Sequence, residues 1–171
     1  MSPLDPLESR SLSTGLAQRT LKNLAFIQGG HARGEDVHIV TQMVNSLLGL
    51  FLFPVEKEDQ FFGSFSSVKL SDPPDFAAVH NKVHEFPMLP SLQCSMFGNC
   101  RNLRRFIRRL RNAIAHRHFE IYGESHDLSA VMIRLYDHEN AAPIDWDITV
   151  SAEDLGQICF YIAGQVIRHH L

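Results

Sequence analysis

Arg111 and His116 stand five positions apart in Arg111-Asn112-Ala113-Ile114-Ala115-His116 and offer a guanidinium and an imidazole to one ligand. A phosphodiester is the ligand those groups suit. The guanidinium can stabilise charge on phosphoryl oxygens, and an imidazole can take or give a proton near neutral pH. In RNA the 2′-hydroxyl is itself the nucleophile once a base removes its proton, so such a pair needs no metal. On a helix the two side chains sit about 140° apart and flank a groove that holds Asn112 and Ala115. Ala115 has almost no side chain, which leaves room for a ligand near the backbone. The plain alternative is that His116 is a cation stabilised by a helix C-terminus, beside arginines that form a solvated face.

Charge supplies the second signal. Residues 101–117 hold seven of the 16 Lys and Arg residues, and no Asp or Glu occurs between Glu85 and Glu120. The chain has a formal charge of -3, so +7 on residues 86–119 leaves -10 elsewhere. A segregation this sharp points to a polyanionic partner. At about 100° per residue, Leu103, Phe106, Ile107, Leu110, Ala113 and Ile114 share one arc roughly 120° wide. Arg104, Arg105, Arg108, Arg109, Arg111, Asn112 and His116 fill the opposite arc. An acidic protein partner could dock on the same surface.

Other chemistry is sparse. His80 and His84 have the spacing of a helical metal pair, but Glu85 is the sole neighbouring ligand type, so no metal site is expected. His116 and His118 could chelate, yet a metal there would neutralise the base. Cys94, Cys100 and Cys159 form no C-x-x-C pair and read as ordinary thiols in a reducing compartment. Asn45, polar on an apolar helix, is either a satisfied core amide or a group facing the cleft. There is no phosphate-cradling glycine loop, no G-x-S-x-G and no carboxylate pair at catalytic spacing, and no cofactor is expected.

The elements that must position these residues are mostly helical. Ser13 or Thr14 can cap a first helix with Leu16, Thr20, Leu21, Leu24 and Ile27 at helical spacing, stopped by Gly29-Gly30. Glu35 and Asp36 open a second, with Val40, Met43, Val44, Leu47, Leu48 and Phe51 as its stripe and Pro54 at its end. From Leu47 to Phe53 it is apolar on every side, which means deep burial or a subunit contact. Residues 56–95 show no sustained period; Asp72 with Pro73 or Pro74 could start a short helix there. After the basic helix, Ala130–Tyr136 and Ile144–Val150 read as a hairpin. Ser151 and Asp154 then cap a last helix striped by Leu155, Ile158, Cys159, Ile162 and Val166.

With 171 residues, 44% apolar, the chain is a globular domain able to bury roughly 70% of its unfolded surface. Residues 1–12 read as a loose lead-in and 13–171 as one domain. Asp5 and Glu8 and the lack of an apolar h-region argue against a signal peptide. The longest apolar run, Leu47–Val55, is nine residues, about half of a membrane span. A cytoplasmic protein with no membrane partner is expected.

Arg111-Asn112-Ala113-Ile114-Ala115-His116 resembles the R-x4-6-H motif of the HEPN superfamily, with the polar residue that usually follows the Arg. Val40–Leu50, ending in Phe53-Pro54, is similar to the second helix of small HEPN proteins of plasmids and mobile islands. So are the hairpin with Trp146 and the segment Val150–Leu155 that follows. The resemblance covers about residues 14–168, outside the irregular middle. It implies a mainly α fold, an antiparallel helical bundle with a small β-hairpin before the last helix, and a homodimer whose motifs face one cleft. It further implies a metal-independent endoribonuclease leaving 2′,3′-cyclic phosphate ends, often a toxin or phage-defence effector; the alternative is a non-catalytic RNA-binding or protein-interaction module. On that reading Arg111 stabilises the phosphorane, His116 is the acid/base and Asn112 orients one of them. Arg104, Arg105, Arg108, Arg109 and Arg117 would hold the RNA backbone. Some HEPN toxins carry Tyr two residues after the motif His, where an antitoxin adds AMP; here that position is His118, which argues against that control.

Overall fold

The computed structural model describes residues 9–35, 37–52, 63–83, 85–123, 127–138 and 143–170. Two helices come first, α1 (Ser9–Ala32) and α2 (Ile39–Leu52), then a 3-10 turn at Gly63–Ser67 and α3 (Phe76–Lys82). The second half runs β1 (Gln93–Met96), α4 (Leu103–Ala115), β2 (Phe119–Tyr122), β3 (Met132–Asp137), β4 (Trp146–Ser151) and α5 (Ala152–His170). The expectation of a mainly α bundle with one hairpin is overturned. The four described strands join one antiparallel sheet in the order β1-β4-β3-β2, so the fold is mixed α/β. The expected hairpin is its centre, with register from Met132 opposite Ser151 to Asp137 opposite Trp146. Added to it are β2, with Phe119 opposite Leu135, and β1, with Gln93 opposite Thr149. At four residues each, the flanking strands are too short to show a period of two against their surroundings.

The helix carrying the motif forms where its apolar spacing places it. Its six apolar positions, Leu103, Phe106, Ile107, Leu110, Ala113 and Ile114, are all buried. They cover the inner face of β3 and meet α2. Phe106 ties this layer together, 4.8 Å from the ring centre of Phe76 and 6.0 Å from that of Trp146. On the other side α1, α2 and α5 pack against one another. Leu47 and Leu50 are buried in this chain's own core; Phe53 lies outside the described residues. The stripe of α5 is buried throughout, and its first turn is capped by the Ser151 hydroxyl, which accepts from the Asp154 amide at 3.2 Å.

Several boundaries differ from the pattern reading: α1 begins at Ser9, ahead of Ser13 and Thr14, and α2 begins at Ile39, after Glu35 and Asp36. Helix α1 runs through Gly29-Gly30 and turns at Gly34, whose φ of +76° is a conformation glycine adopts without cost. Helix α3 is capped by Asp75, whose carboxylate accepts from the Ala78 amide at 3.0 Å, not by Asp72. Among the described residues no helix is long and apolar enough to cross a membrane.

Candidate active site

Helix α4 starts at Asn102, whose side-chain oxygen accepts from the Arg105 amide at 2.9 Å. It ends in a Schellman turn that sets the motif's geometry. The Arg117 amide donates to the Ile114 carbonyl at 3.2 Å and the His118 amide to the Ala113 carbonyl at 2.7 Å. Arg117 adopts φ +61°, a left-handed conformation that costs a non-glycine residue roughly 1–2 kcal/mol. That reversal leaves His116 exposed as the helix cap and sends the chain directly into β2. The Tyr136 amide donates to the His118 carbonyl at 3.0 Å, so the ladder between β2 and β3 begins at His118.

The turn gathers aromatic and imidazole rings beside His116. The His116 and His118 ring centres are 5.8 Å apart. His118 stacks on Tyr136 at 5.2 Å with 12° between planes, and lies 5.2 Å from His138. The Arg134 guanidinium sits 5.3 Å from the Tyr136 ring centre, held by Asp147 at 2.7 Å and Glu120 at 3.2 Å. Hydrogen bonds donated to Asp147 and then to Glu120 push the Arg134 pKa upward. The Nδ1 atoms of His118 and His138 are enclosed and make no hydrogen bond among the described residues.

Of the motif residues, Arg111 is half-buried on one flank of α4 and His116 is exposed on the other. Asn112 turns toward neither. Its amide donates to Asp137 Oδ2 at 3.2 Å and so ties the motif helix to the end of β3. Arg108 and Arg117 are exposed, as is Arg105, while Arg104 is half-buried.

Arg109, expected on the RNA-holding face, is not there. It is 4% exposed, with Nη1 3.2 Å from Asp137 and Nη2 2.7 Å from Asp145. Burial opposes its charge, but the hydrogen bonds it donates to Asp137 and Asp145 more than offset this and raise its pKa. On the helical wheel Arg109 borders the apolar arc, on the same flank as Asn112. Alternation along β3 turns Asp137 inward with Ile133 and Leu135, where a buried carboxylate requires a cationic partner. That inward Asp in an otherwise apolar strand face was the sequence signal for Arg109's partner.

The remaining candidates fall elsewhere. Asn45 is exposed and is not a core amide; the buried polar residue of α2 is Ser46. His80 places Nδ1 2.6 Å from the Phe86 carbonyl, and His84 lies outside the described residues. No group of three or more ligand-type side chains among the described residues could hold a metal ion.

The sequence model of the HEPN pEK499 p136 family matches residues 1–171, the whole chain. The chain belongs to this family. It is therefore a HEPN-superfamily protein of a plasmid-associated group. HEPN membership supports a ribonuclease or nucleotide-binding module, and HEPN domains often bind RNA and act as dimers. The chain matches no curated protein and no solved structure.

Proposed function

We propose that this HEPN protein is a metal-independent endoribonuclease that cleaves RNA by attack of the 2′-hydroxyl on the adjacent phosphorus. The observation that carries the reading is His116: exposed at the end of α4, with no ion pair to a carboxylate among the described residues, on a helix whose other flank presents Arg111. His116 moves the proton and Arg111 neutralises charge building on the phosphoryl oxygens. Arg104, Arg105, Arg108 and Arg117 hold the RNA backbone. Asn112 acts from a distance, by anchoring the motif helix to Asp137. The working form is a homodimer with two motifs on one cleft, and the plasmid-associated family suits a toxin or phage-defence effector controlled by a protein partner.

A non-catalytic RNA- or protein-binding module is the second reading, and one observation favours it. Arg109 and Asn112 both serve the architecture of α4, so part of the motif helix's polarity is there for the fold. The experiment that separates the two incubates purified protein with pooled cellular RNA in EDTA, beside His116→Ala and Arg111→Ala, with sedimentation to read the oligomer. Cleavage by the wild type alone supports the enzyme. RNA bound but left uncut by all three assigns the binding module.

A further inference from the structure

In-line transesterification moves two protons, one away from the attacking 2′-oxygen and one onto the departing 5′-oxygen. A single R-x4-H motif holds one imidazole, and a two-fold partner would supply the other. The structure sets another imidazole much closer. His118 follows the Schellman turn, and its backbone is held on both sides: its amide by the Ala113 carbonyl at 2.7 Å and its carbonyl by the Tyr136 amide at 3.0 Å. Its ring is held by stacking on Tyr136, with its centre 5.8 Å from that of His116. Two rings at that spacing can both reach one phosphodiester.

The hydrogen bonding of these rings argues the same way. A histidine kept for structure spends a ring nitrogen on a protein acceptor, as His80 does on the Phe86 carbonyl at 2.6 Å. His118 and the adjacent His138 do not, since the Nδ1 of each is enclosed without a partner among the described residues. Ring stacking therefore fixes where His118 sits, and with Nδ1 enclosed it is Nε2 that is left to meet a ligand.

We propose that His118 is a second catalytic residue, the general acid that protonates the leaving 5′-oxygen within the same subunit as His116. The idea rests on the ribonuclease reading above. The balanced step is this. His116 takes the 2′-hydroxyl proton, the 2′-oxygen bonds to phosphorus, the bond from phosphorus to the 5′-oxygen breaks, and the His118 imidazolium delivers its proton to that oxygen. The products are a 2′,3′-cyclic phosphate and a 5′-hydroxyl, with His116 protonated and His118 neutral. Exchange through water resets the pair.

The test compares wild type, His116→Ala, His118→Phe and His118→Gln on an RNA containing the mapped cleavage site, and on the same RNA with sulfur in place of the bridging 5′-oxygen. A thiolate leaves without a proton. Phe keeps a ring against Tyr136, and Gln covers the case in which Phe fails to fold. Expected is a loss of about 10²-fold or more in single-turnover cleavage of ordinary RNA by both His118 variants, at unchanged RNA affinity. The sulfur substrate should restore them to near the wild-type rate while His116→Ala stays impaired. Either His118 variant cutting ordinary RNA at the wild-type rate, or folded variants equally slow on both substrates, overturns the proposal. A wild type that cuts neither substrate fails the ribonuclease reading itself, and His118 falls with it.

Discussion

Replacing Arg109 by Ala should unfold this protein far more readily than it should weaken RNA binding. The Arg109 and Asp137 side chains are each 4% exposed, and Asp137 takes hydrogen bonds from Arg109 and Asn112 at 3.2 Å. Truncating Arg109 leaves one carboxylate buried with a single neutral donor. Removing one member of a buried pair costs about 3–5 kcal/mol, largely the cost of the charge left behind. In a domain of this size each kcal/mol moves Tm by about 2–4 °C, so a fall of roughly 10 °C is expected. Arg108→Ala, on the exposed face, should stay within about 0.5 kcal/mol of wild type. Urea titration followed by circular dichroism gives both values, and filter binding in the cold, where the variant remains folded, gives RNA affinity. Adding Asp137→Asn to Arg109→Ala should recover part of the stability, because the stranded charge is gone. If Arg109→Ala melts like wild type, or weakens RNA binding as Arg108→Ala does, the arginine is on the surface and the packing described for α4 is wrong.

Three further outcomes follow from the same geometry. Arg108→Ala combined with Arg117→Ala should flatten the plot of log Kd against log salt, read from binding at low and moderate salt. Its slope should drop by roughly 0.7 for each phosphate of single-stranded RNA that no longer meets an arginine. Arg117→Gly should hold or raise stability by up to about 1 kcal/mol, since glycine takes φ +61° without strain, whereas Arg117→Val should lower it by about 1–2 kcal/mol in the same urea titration. Burial pushes the Cys100 thiol up to about 12 and raises Cys159 too, while burial, then Asp72 and Asp147, raise Cys94. A raised thiol pKa means little thiolate below it, so in mildly alkaline buffer the folded protein should react with iodoacetamide many times more slowly than the urea-unfolded chain.

Long periodic elements are legible in the sequence, whereas features made by contact between distant segments are not. Helix α4 announced itself because six apolar side chains recur at its period, and all six are buried. The stripe of α5 and the two central strands were readable for the same reason: each is long enough for periodicity to stand out. Strands β1 and β2 were not, because their places at the sheet edges follow from pairing with β4 and β3, not from local pattern. In the site, Arg111 and His116 were found by spacing along one helix. Spacing puts Arg109 with the other arginines because its partners Asp137 and Asp145 lie 28 and 36 residues away, and only the fold brings them into contact. The His118, Tyr136 and His138 grouping escaped notice in the same way. It forms because a helix turn and a strand end are brought together by the β2–β3 ladder.

The central claim is that the RNA's own 2′-hydroxyl is the nucleophile and His116 its base. The most direct measurement uses an oligoribonucleotide carrying one 2′-deoxy sugar at the mapped cleavage position, incubated with wild-type protein in EDTA, with the product ends of the all-ribo control identified by mass spectrometry. The all-ribo strand should be cut to a 2′,3′-cyclic phosphate and a 5′-hydroxyl, the singly deoxy strand should survive at that linkage, and His116→Ala should leave both intact. Cleavage of the deoxy linkage, or product ends with a 3′-hydroxyl and a 5′-phosphate, would contradict the claim.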